Sequence, residues 1–369
     1  MELDSLRKER LDRIAKAVAL EKMDRIPVVL EYSAFAARVT HTQMAEFISS
    51  PLKATETMIE AYKMIGGGDA INYGTSSPYG LSYSYGAKVH LPGVDLPPDD
   101  TWQVVESELM KIDDFDEILE IGWPDFFKKF LLERVYDDAA PRLLPANQEP
   151  VDIVGLWAKE GIPVLSGGTI TTPFELLCGS RSLEKFFLDL TSIPDKIEAI
   201  MNQIVPHLAQ RECKRAKKMG CAAAWVGGWT AAPFMLSPQM WSRFEWPYFK
   251  QLVYEVIETG LIALLHLDGN WDRELERFKE FPQGKVIVAL DGDTDIYRAK
   301  EILGDHFCIM GDVPPAMLAF DTPDDVFNYC RKLIRNLGPE GFILHSGCDI
   351  PANAKLENVQ AMVSAALES

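Results

Sequence analysis

The chain lacks long apolar runs and paired cysteines, and both absences narrow the class of protein. None of its 369 residues lies in an uninterrupted apolar stretch of the roughly 18 residues that a membrane-spanning helix needs. Residues 1–10 are charged from the start and do not resemble a secretory signal peptide. The six cysteines are scattered, which is typical of reduced, buried thiols rather than of a disulfide framework. We therefore expect a cytoplasmic protein that does not insert into a membrane.

The chain also has few basic residues relative to its acidic residues. The chain carries 55 acidic and 37 basic residues, which gives a formal net charge of −18. Nucleic acids and anionic membrane surfaces bind basic patches, so this strongly acidic chain is not expected to bind either of them. A neutral small molecule or a protein partner is compatible with the charge, and a homodimer remains open.

A glycine-rich phosphate-binding loop is missing as well. No G-x-G-x-x-G pattern follows a predicted strand, which argues against the alternative of an open, doubly wound sheet. Short apolar runs, typical of buried parallel strands, instead alternate with segments of helical length. Eight such runs are found, at residues 26–31, 70–73, 162–166, 222–226, 261–266, 285–290, 307–310 and 342–345. The alternation predicts an α/β fold, a (β/α)8 TIM barrel, with its active residues on loops at the carboxyl ends of the strands.

Helices are predicted before the first strand and between the later ones. An amphipathic helix over roughly residues 3–20 opens the chain. Further helices are predicted at residues 52–65, 182–189, 195–219, 238–259, 295–303, 323–336 and 356–367. Ser50, Ser237 and Thr322 each precede a proline, a pattern typical of helix starts. Residues 74–160 interrupt the alternation and are interpreted as a long insertion after the second strand that caps the mouth of a single barrel domain, 1–369.

Three potential metal ligands end two of the predicted strands. His266 and Asp268 lie two residues apart at one strand end, so their side chains point the same way. Cys348 follows a glycine at the end of the last strand. Imidazole, carboxylate and thiolate are all zinc ligands, so convergence of these strand ends would make a metal site. Glu245, on the helix before the His266 strand, is a further candidate ligand, and the alternative for His266 is a polar residue satisfied by hydrogen bonds.

Carboxylates and tyrosines add to this candidate site. Three consecutive predicted strands end in an acid, at Asp268, Asp291 and Asp312. This recurrence predicts an acidic barrel mouth in which the carboxylates act as acid–base groups or surround a metal. The alternative is that they cap the helices that follow. Tyrosines near the first strand ends and in the insertion could form an aromatic wall for a flat ligand, or simply pack within a loop. These substrate-binding candidates are Tyr32, Tyr73, Tyr79 and Tyr83.

Several segments carry a resemblance to a known family. They are residues 25–29, 68–70, 86–89, 236–241, 247–250 and, most specific of all, 346–362. Over almost the whole chain the sequence resembles the uroporphyrinogen decarboxylase superfamily, which implies a (β/α)8 barrel. Decarboxylases of that superfamily have an arginine-rich stretch after the first strand and an aspartate after the second. Here residues 31–38 contain one arginine, Arg38, and residues 71–78 contain no carboxylate.

The corrinoid-dependent methyltransferases are the other branch of the superfamily. In its methylcobamide:coenzyme M members, zinc is held by a His-x-Cys pair and a distant cysteine. His266 and Cys348 match that pattern, whereas Asp268 replaces the first cysteine. The His-x-Asp-Gly-Asn-Trp form of residues 266–271 more closely resembles the methyltransferase I components of O-demethylase systems.

That resemblance implies a function. Such enzymes move a methyl group from an aromatic methyl ether to the cobalt(I) corrinoid of a separate protein. This chain has no cobalamin-binding Asp-x-His-x-x-Gly motif, so the corrinoid is expected on the partner protein. It implies zinc bound by His266 and Cys348 with Asp268 or Glu245, and catalytic roles for His266, Asp268, Asp291 and Asp312. Three alternatives stay open: a methyltransferase II that methylates a thiol or other acceptor, a decarboxylase-like enzyme, and a non-catalytic barrel that binds partners.

Overall fold

The computed structural model of the protein describes residues 2–73, 77–136 and 151–368. Ten strands lie in these parts of the chain. They are β1 (Val29–Leu30), β2 (Ala70–Ile71), β3 (Lys88–His90), β4 (Gln103–Val105), β5 (Ser166–Thr171), β6 (Ala223–Gly228), β7 (Ile262–Leu267), β8 (Val286–Leu290), β9 (Cys308–Val313) and β10 (Phe342–Ser346).

The same parts of the chain contain seventeen α-helices. They are α1 (Glu2–Val18), α2 (Ala34–Val39), α3 (Met44–Phe47), α4 (Pro51–Ile65), α5 (Pro78–Tyr85), α6 (Asp114–Ile121), α7 (Trp123–Phe130), α8 (Ile153–Ala158), α9 (Pro173–Arg181), α10 (Leu183–Ser192), α11 (Pro194–Met219), α12 (Pro238–Phe244), α13 (Trp246–Glu258), α14 (Ile296–Leu303), α15 (Pro315–Phe320), α16 (Pro323–Leu337) and α17 (Leu356–Leu367). A π-helical turn (Leu131–Val135) follows α7, and 3-10 helices cover Pro233–Met235 and Leu275–Glu280. No helix in the described ranges is both long and apolar enough to cross a bilayer.

Eight of the strands form a parallel barrel. β5 to β10 make one continuous sheet in chain order, and β1 pairs in parallel with β2. On one side, the backbone N–H of Leu344 in β10 donates to the carbonyl of Pro27, at 2.9 Å. On the other side, the N–H of Leu165 donates to the carbonyl of Ile71 in β2, also at 2.9 Å. These bonds join β1–β2 to both edges of the six-stranded sheet, so the predicted (β/α)8 barrel is confirmed.

The third barrel strand begins later than the sequence predicted. The expected run was 162–166, whereas β5 extends from Ser166 through two glycines, Gly167 and Gly168, to Thr171. Glycine weakens a strand in isolation, which is why the pattern appeared to stop there. The glycines are needed for packing, because a Cβ at Gly168 would lie 2.5 Å from the carbonyl oxygen of Glu212 in α11.

Helix starts follow the predicted capping signals. Ser50, Ser237 and Thr322 each accept a hydrogen bond from the backbone N–H three residues later. The helix predicted at 238–259 is divided at Glu245 into α12 and α13. Pro247 has no N–H to continue the ladder of α12, so a break at this point is expected.

The predicted insertion has secondary structure of its own. Residues 78–85, which carry poor helix formers and read as irregular, form α5. β3 and β4 form an antiparallel pair outside the barrel. α5 packs against α9, and α6 and α7 pack against α11. Residues 74–76 and 137–150 of the insertion lie outside the described ranges, and its role as a cap of the mouth stays a prediction.

Buried ion pairs fix α1 at the amino ends of the strands. Asp69, which precedes β2, is fully buried and accepts hydrogen bonds from Arg13 (2.6 Å), Arg25 (2.7 Å) and the backbone N–H of Val28 (2.8 Å). Arg13 also donates to the exposed Asp24, at 2.6 Å. A buried carboxylate is tolerated when its charge is paired in this way. The network ties α1 to the first two strands and leaves the opposite end of the barrel for the candidate site.

Candidate metal centre at the barrel mouth

The structure brings together three of the predicted metal ligands. His266 lies in β7, Asp268 follows that strand, and Cys348 follows β10. One ligand atom from each residue lies within 4.8 Å of the other two, although β8 and β9 separate the two strands within the sheet. The cluster therefore forms across the interior of the barrel. His266 is buried, whereas Asp268 and Cys348 are half-buried, so the cluster borders the mouth.

Electrostatic coupling within the cluster suits metal binding. Burial lowers the pKa of His266, but hydrogen bonds to Asp268 and Cys348 outweigh it and leave that pKa well above the usual range. Burial raises the pKa of the Cys348 thiol, and His266 opposes this rise. The ring of Trp225 stacks on that of His266, with centroids 5.1 Å apart. A nitrogen, an oxygen and a sulfur donor at this spacing fit zinc, which displaces protons from its ligands when it binds.

A chain of polar side chains lines the barrel next to the cluster. Glu31 follows β1 and accepts a hydrogen bond from the Nδ2 of Asn72, at 2.5 Å. The hydroxyl of Ser166 in β5 donates to Asn72 in turn. His345 in β10 has its Nε2 atom 3.7 Å from Glu31 Oε2. Burial alone would raise the pKa of Glu31, but its interaction with His345 and the charge of His266 outweigh that effect and lower the pKa.

Asp349 is a half-buried acid that follows Cys348 in the chain. Its Oδ2 accepts a hydrogen bond from the hydroxyl of Ser33 (2.6 Å), and its Oδ1 accepts one from the Ser33 N–H (3.1 Å). Burial raises the pKa of Asp349 to about 7, and the charge of Glu31 acts in the same direction. The two carboxyls thus cannot both ionise freely at neutral pH.

Glu175 and Glu245 are two buried acids on the β5–β6 side of the mouth. Glu175, in the first turn of α9, accepts hydrogen bonds from the hydroxyl of Thr230 (2.7 Å) and the N–H of Ala231 (2.8 Å). Burial raises its pKa to about 7, and the charge of Asp268 adds to the rise. Burial and the charge of Glu175 raise the pKa of Glu245 well above its usual range. The three-residue cluster does not include Glu245, whose role as a ligand stays a prediction.

The two other predicted acids have different local partners. Asp291, after β8, accepts hydrogen bonds from the backbone N–H groups of Gly269 (2.5 Å) and Asp293 (3.0 Å), and so fixes the loop that carries Asp268. Asp312, in β9, accepts a hydrogen bond from the hydroxyl of Tyr329, at 2.9 Å. Burial raises the pKa of both carboxyls.

The four candidate tyrosines contact the outer helices. Tyr32 is buried and donates to the carbonyl of Met58 in α4, at 2.8 Å, and the half-buried Tyr73 bonds to Thr55 in the same helix. Tyr79 stacks on Tyr136, with centroids 5.8 Å apart. Their role in substrate binding stays a prediction.

Tyr83 has its own set of outer contacts. It meets Phe127 edge-on, with centroids 5.3 Å apart. The guanidinium of Arg211, in α11, lies 3.4 Å from the centroid of the Tyr83 ring. As for the other three, substrate binding by Tyr83 stays a prediction.

Several residues of the barrel mouth were not predicted from the sequence. Glu31, Glu175 and His345 are buried and Asp349 is half-buried. All four lie at or near strand ends, and position after a strand is the signal that could have found them. Tyr85 lies in α5, and burial together with the charges of Glu175, Asp268 and Cys348 raises its pKa. Nothing in the sequence separates it from Tyr79 and Tyr83 until the segment is known to be helical.

The family follows from the comparison with known proteins. A family model described as uroporphyrinogen decarboxylase (URO-D) matches residues 9–369. The chain therefore belongs to the uroporphyrinogen decarboxylase family.

Curated relatives in that family are distant and match only in part. The uroporphyrinogen decarboxylase of Trichodesmium erythraeum (strain IMS101) is 32% identical over 147 residues, which are 39% of this chain and 38% of the relative. Chloroplastic uroporphyrinogen decarboxylase 2 of Oryza sativa subsp. japonica is 25% identical over 200 residues, 52% of this chain and 50% of the relative. The matches thus span about half the length of these relatives or less, so their activity is not transferred to this chain.

Solved structures match over nearly the whole length. A methyltransferase from Methanosarcina mazei superposes with a TM-score of 0.73 at 16% identity, covering 96% of this chain and 97% of that one. A B12-independent methionine synthase from Shewanella sp. W3-18-1, in complex with selenomethionine, gives a TM-score of 0.52 at 10% identity, covering 93% and 97%. At these identities the likeness shows a shared fold.

Proposed function

We propose that this chain is a corrinoid-dependent methyltransferase that takes a methyl group from an aromatic methyl ether. The acceptor is the cobalt(I) corrinoid carried by a separate protein. The observation that carries the proposal is the cluster of His266, Asp268 and Cys348, whose donor atoms lie within 4.8 Å of one another at the barrel mouth. The shared barrel with a methyltransferase from Methanosarcina mazei supports the same class of reaction.

Zinc is the proposed metal, and His266, Asp268 and Cys348 would hold it. Bound there, it would supply a Lewis acid that stabilises negative charge on the ether oxygen as the methyl group leaves. Trp225 restrains the imidazole of His266 by stacking on it. Asp291 restrains Asp268 indirectly, because it binds the backbone N–H of the next residue, Gly269.

A protonated acid completes the proposed mechanism. The electrons of the breaking O–CH3 bond stay on oxygen, so the product is a phenolate that needs a proton. Burial raises the pKa of Glu175 to about 7, the charge of Asp268 adds to the rise, and Glu175 can therefore hold a proton at neutral pH. It is therefore the proposed general acid, and Asp312 and Asp291 contribute to the polar surroundings.

The charge of the mouth disfavours decarboxylation of a porphyrinogen with several carboxylate arms. The strongest charged neighbours of Glu175, Cys348 and Asp349 are other acids and His266. A polyanionic substrate needs cations at these positions. A neutral aromatic ether does not need cations at these positions.

Methyl transfer to a thiol is the second candidate function. Cys348 and His266 are the ligand types that keep zinc available to activate a thiolate, which supports a methyltransferase II. The two candidates differ in direction, because one forms methylcobalt and the other consumes it.

A donor and acceptor panel distinguishes these functions. Cobalt(I) corrinoid is mixed with the protein and with methoxyaromatics, methylated thiols or methylamines, and the cobalt spectrum is followed. We expect methylcobalt formation with methoxyaromatics alone. Formation of cobalt(I) from methylcobalt with a thiol, and no reaction with any methoxyaromatic, would favour the methyltransferase II.

Leaving-group dependence is a second test of the same proposal. Glu175→Gln should slow methyl transfer most for the ethers of basic phenols, because the oxygens of these ethers carry the most charge in the transition state. Ethers with electron-withdrawing rings should be less affected. Equal losses across the panel would contradict a proton-donating role for Glu175.

A further inference from the structure

Two aromatic side chains in contact form a platform at the barrel mouth. Trp229 follows β6, and its ring lies on that of Tyr85, the last residue of α5, with centroids 4.1 Å apart and planes inclined by 34°. Tyr85 is only 3% exposed, whereas Trp229 is 42% exposed. One part of the indole is therefore covered by protein, and the rest is open to a ligand.

The platform borders the metal cluster. Burial, together with the charges of Glu175, Asp268 and Cys348, raises the pKa of Tyr85 well above its usual range. In the parallel pairing of β6 with β7, Gly228 lies opposite Leu267, so Trp229 and Asp268 leave the sheet side by side. The platform and the proposed metal ligands therefore adjoin one another at the carboxyl ends of β6 and β7.

Hydrogen bonds hold the loop that carries Trp229. Thr230 and Ala231, the next two residues, donate to the carboxylate of Glu175. The carbonyl of Ala231 accepts a hydrogen bond from the Nε1 of Trp241, at 3.0 Å. A preorganised aromatic surface loses little entropy when a ligand binds, so this one is suited to recognition.

A polar donor without an acceptor lies beside His266. Trp225 is 4% exposed and stacks on His266, yet its Nε1–H has no acceptor among the residues that the structure describes. Buried indole N–H groups ordinarily have a partner. An oxygen atom of a bound ligand would provide it.

We propose that the exposed indole of Trp229, supported from behind by Tyr85, binds the ring of the methyl donor, and that Trp225 donates a hydrogen bond to a second oxygen substituent on that ring. The ligand class is a single arene ring with a methoxy group and a neighbouring hydroxyl or carboxylate, together with its phenol product. The nature of the donor rests on the proposed function; the aromatic subsite rests on the contacts above.

Binding of the phenol product tests this subsite without any methyl transfer. Catechol and 2-methoxyphenol are titrated into the metal-loaded protein by calorimetry, in the absence of corrinoid. We expect Trp229→Ala to weaken binding about five- to tenfold, and Trp229→Phe to weaken it less than about threefold, because a ring is retained. Phe320→Ala, which removes another highly exposed aromatic after β9, is the matched control and should have no effect.

The indole donor is tested by a second variant. Trp225→Phe should weaken the binding of 2-methoxyphenol more than that of anisole. The wild-type preference for the ring with a second oxygen substituent is then lost. Unchanged binding in Trp229→Ala, or no binding of either ring by the wild type, would overturn the platform. If the variants weaken binding but the wild type transfers no methyl group, the subsite stands and the proposed function fails.

Discussion

The Nε2 atom of His266 lies 3.3 Å from the Oδ1 atom of Asp268. One strand end therefore supplies two donors side by side, and Cys348 completes the group from the far side of the barrel. This spacing arises from the twofold alternation of side chains along β7, which turns residues 266 and 268 the same way. The two residues are thus the rigid half of the proposed metal site.

Metal content follows directly from that arrangement. We expect about one zinc per chain in the wild type, and a loss of most of it in His266→Ala and in Cys348→Ser, since each variant removes one of three protein ligands. Elemental analysis of protein prepared without chelator gives the stoichiometry. His90→Ala, which removes an exposed histidine in β3, should retain the wild-type content. Equal metal content in all four proteins would show that the ion binds elsewhere.

Ionisation of Glu175 should make stability depend on pH. Burial raises its pKa from 4.5 to about 7 in the folded protein. Its stabilising contribution is therefore fully present below about pH 4.5 and is lost as pH rises through about 7. Relative to Glu175→Gln, the wild type should lose up to about 3 kcal/mol of unfolding free energy between pH 5 and about pH 8.5.

Urea denaturation of both proteins across this pH range measures the difference. Glu198→Gln is the control, because Arg243 lowers the pKa of Glu198 and its contribution is lost only on acidification. That variant should follow the wild-type slope above pH 5. A constant difference between wild type and Glu175→Gln would mean that Glu175 is ionised throughout.

Asp291 is predicted to position the loop rather than to bind the metal. Its two carboxylate oxygens accept from the N–H groups of Gly269 and Asp293, and an amide cannot accept at both sites. Asp291→Asn should lower the kcat of methyl transfer about tenfold while the metal content stays near that of the wild type. Asp293→Asn alters the exposed neighbouring carboxylate and should leave both unchanged. Loss of metal in Asp291→Asn would instead identify Asp291 as a ligand.

The buried ion pairs at the opposite end of the barrel should dominate local stability. Asp69→Ala leaves Arg13 and Arg25 without their buried carboxylate, and should cost about 3–5 kcal/mol of unfolding free energy. Asp24→Ala removes an exposed partner of the same Arg13 and should cost less than about 1 kcal/mol. Chemical denaturation compares the two, and similar costs would show that burial of Asp69 is unimportant.

The fold and the metal cluster were accessible from the sequence for one physical reason. Parallel strands of a barrel end at the same face, so polar residues after apolar runs must gather there. His266, Asp268 and Cys348 satisfy that rule without further information. The pairing of Glu31 with His345 depends on closure of the barrel between β1 and β10, which lie at opposite ends of the chain, and a single sequence does not specify this contact.

The aromatic residues show where the sequence interpretation was incomplete. Segment 78–85 contains tyrosine, serine and glycine, which are poor helix formers, and it read as an irregular loop. Once the segment is helical, Tyr79 and Tyr83 share one face because they are four residues apart. Tyr85 lies on a different face, against Trp229. Ser77 and Pro78 were the available signal, since a cap residue before proline marks a helix start.

Transfer of a labelled methyl group tests the central claim most directly. The metal-loaded protein is mixed with a cobalt(I) corrinoid and 2-methoxyphenol carrying a 13C-methyl group, and carbon NMR follows the label. The account predicts that the label moves to cobalt with release of one catechol per methylcobalt, and that Cys348→Ser protein without metal transfers none. Retention of the label on oxygen, with fully loaded and folded protein, would contradict it.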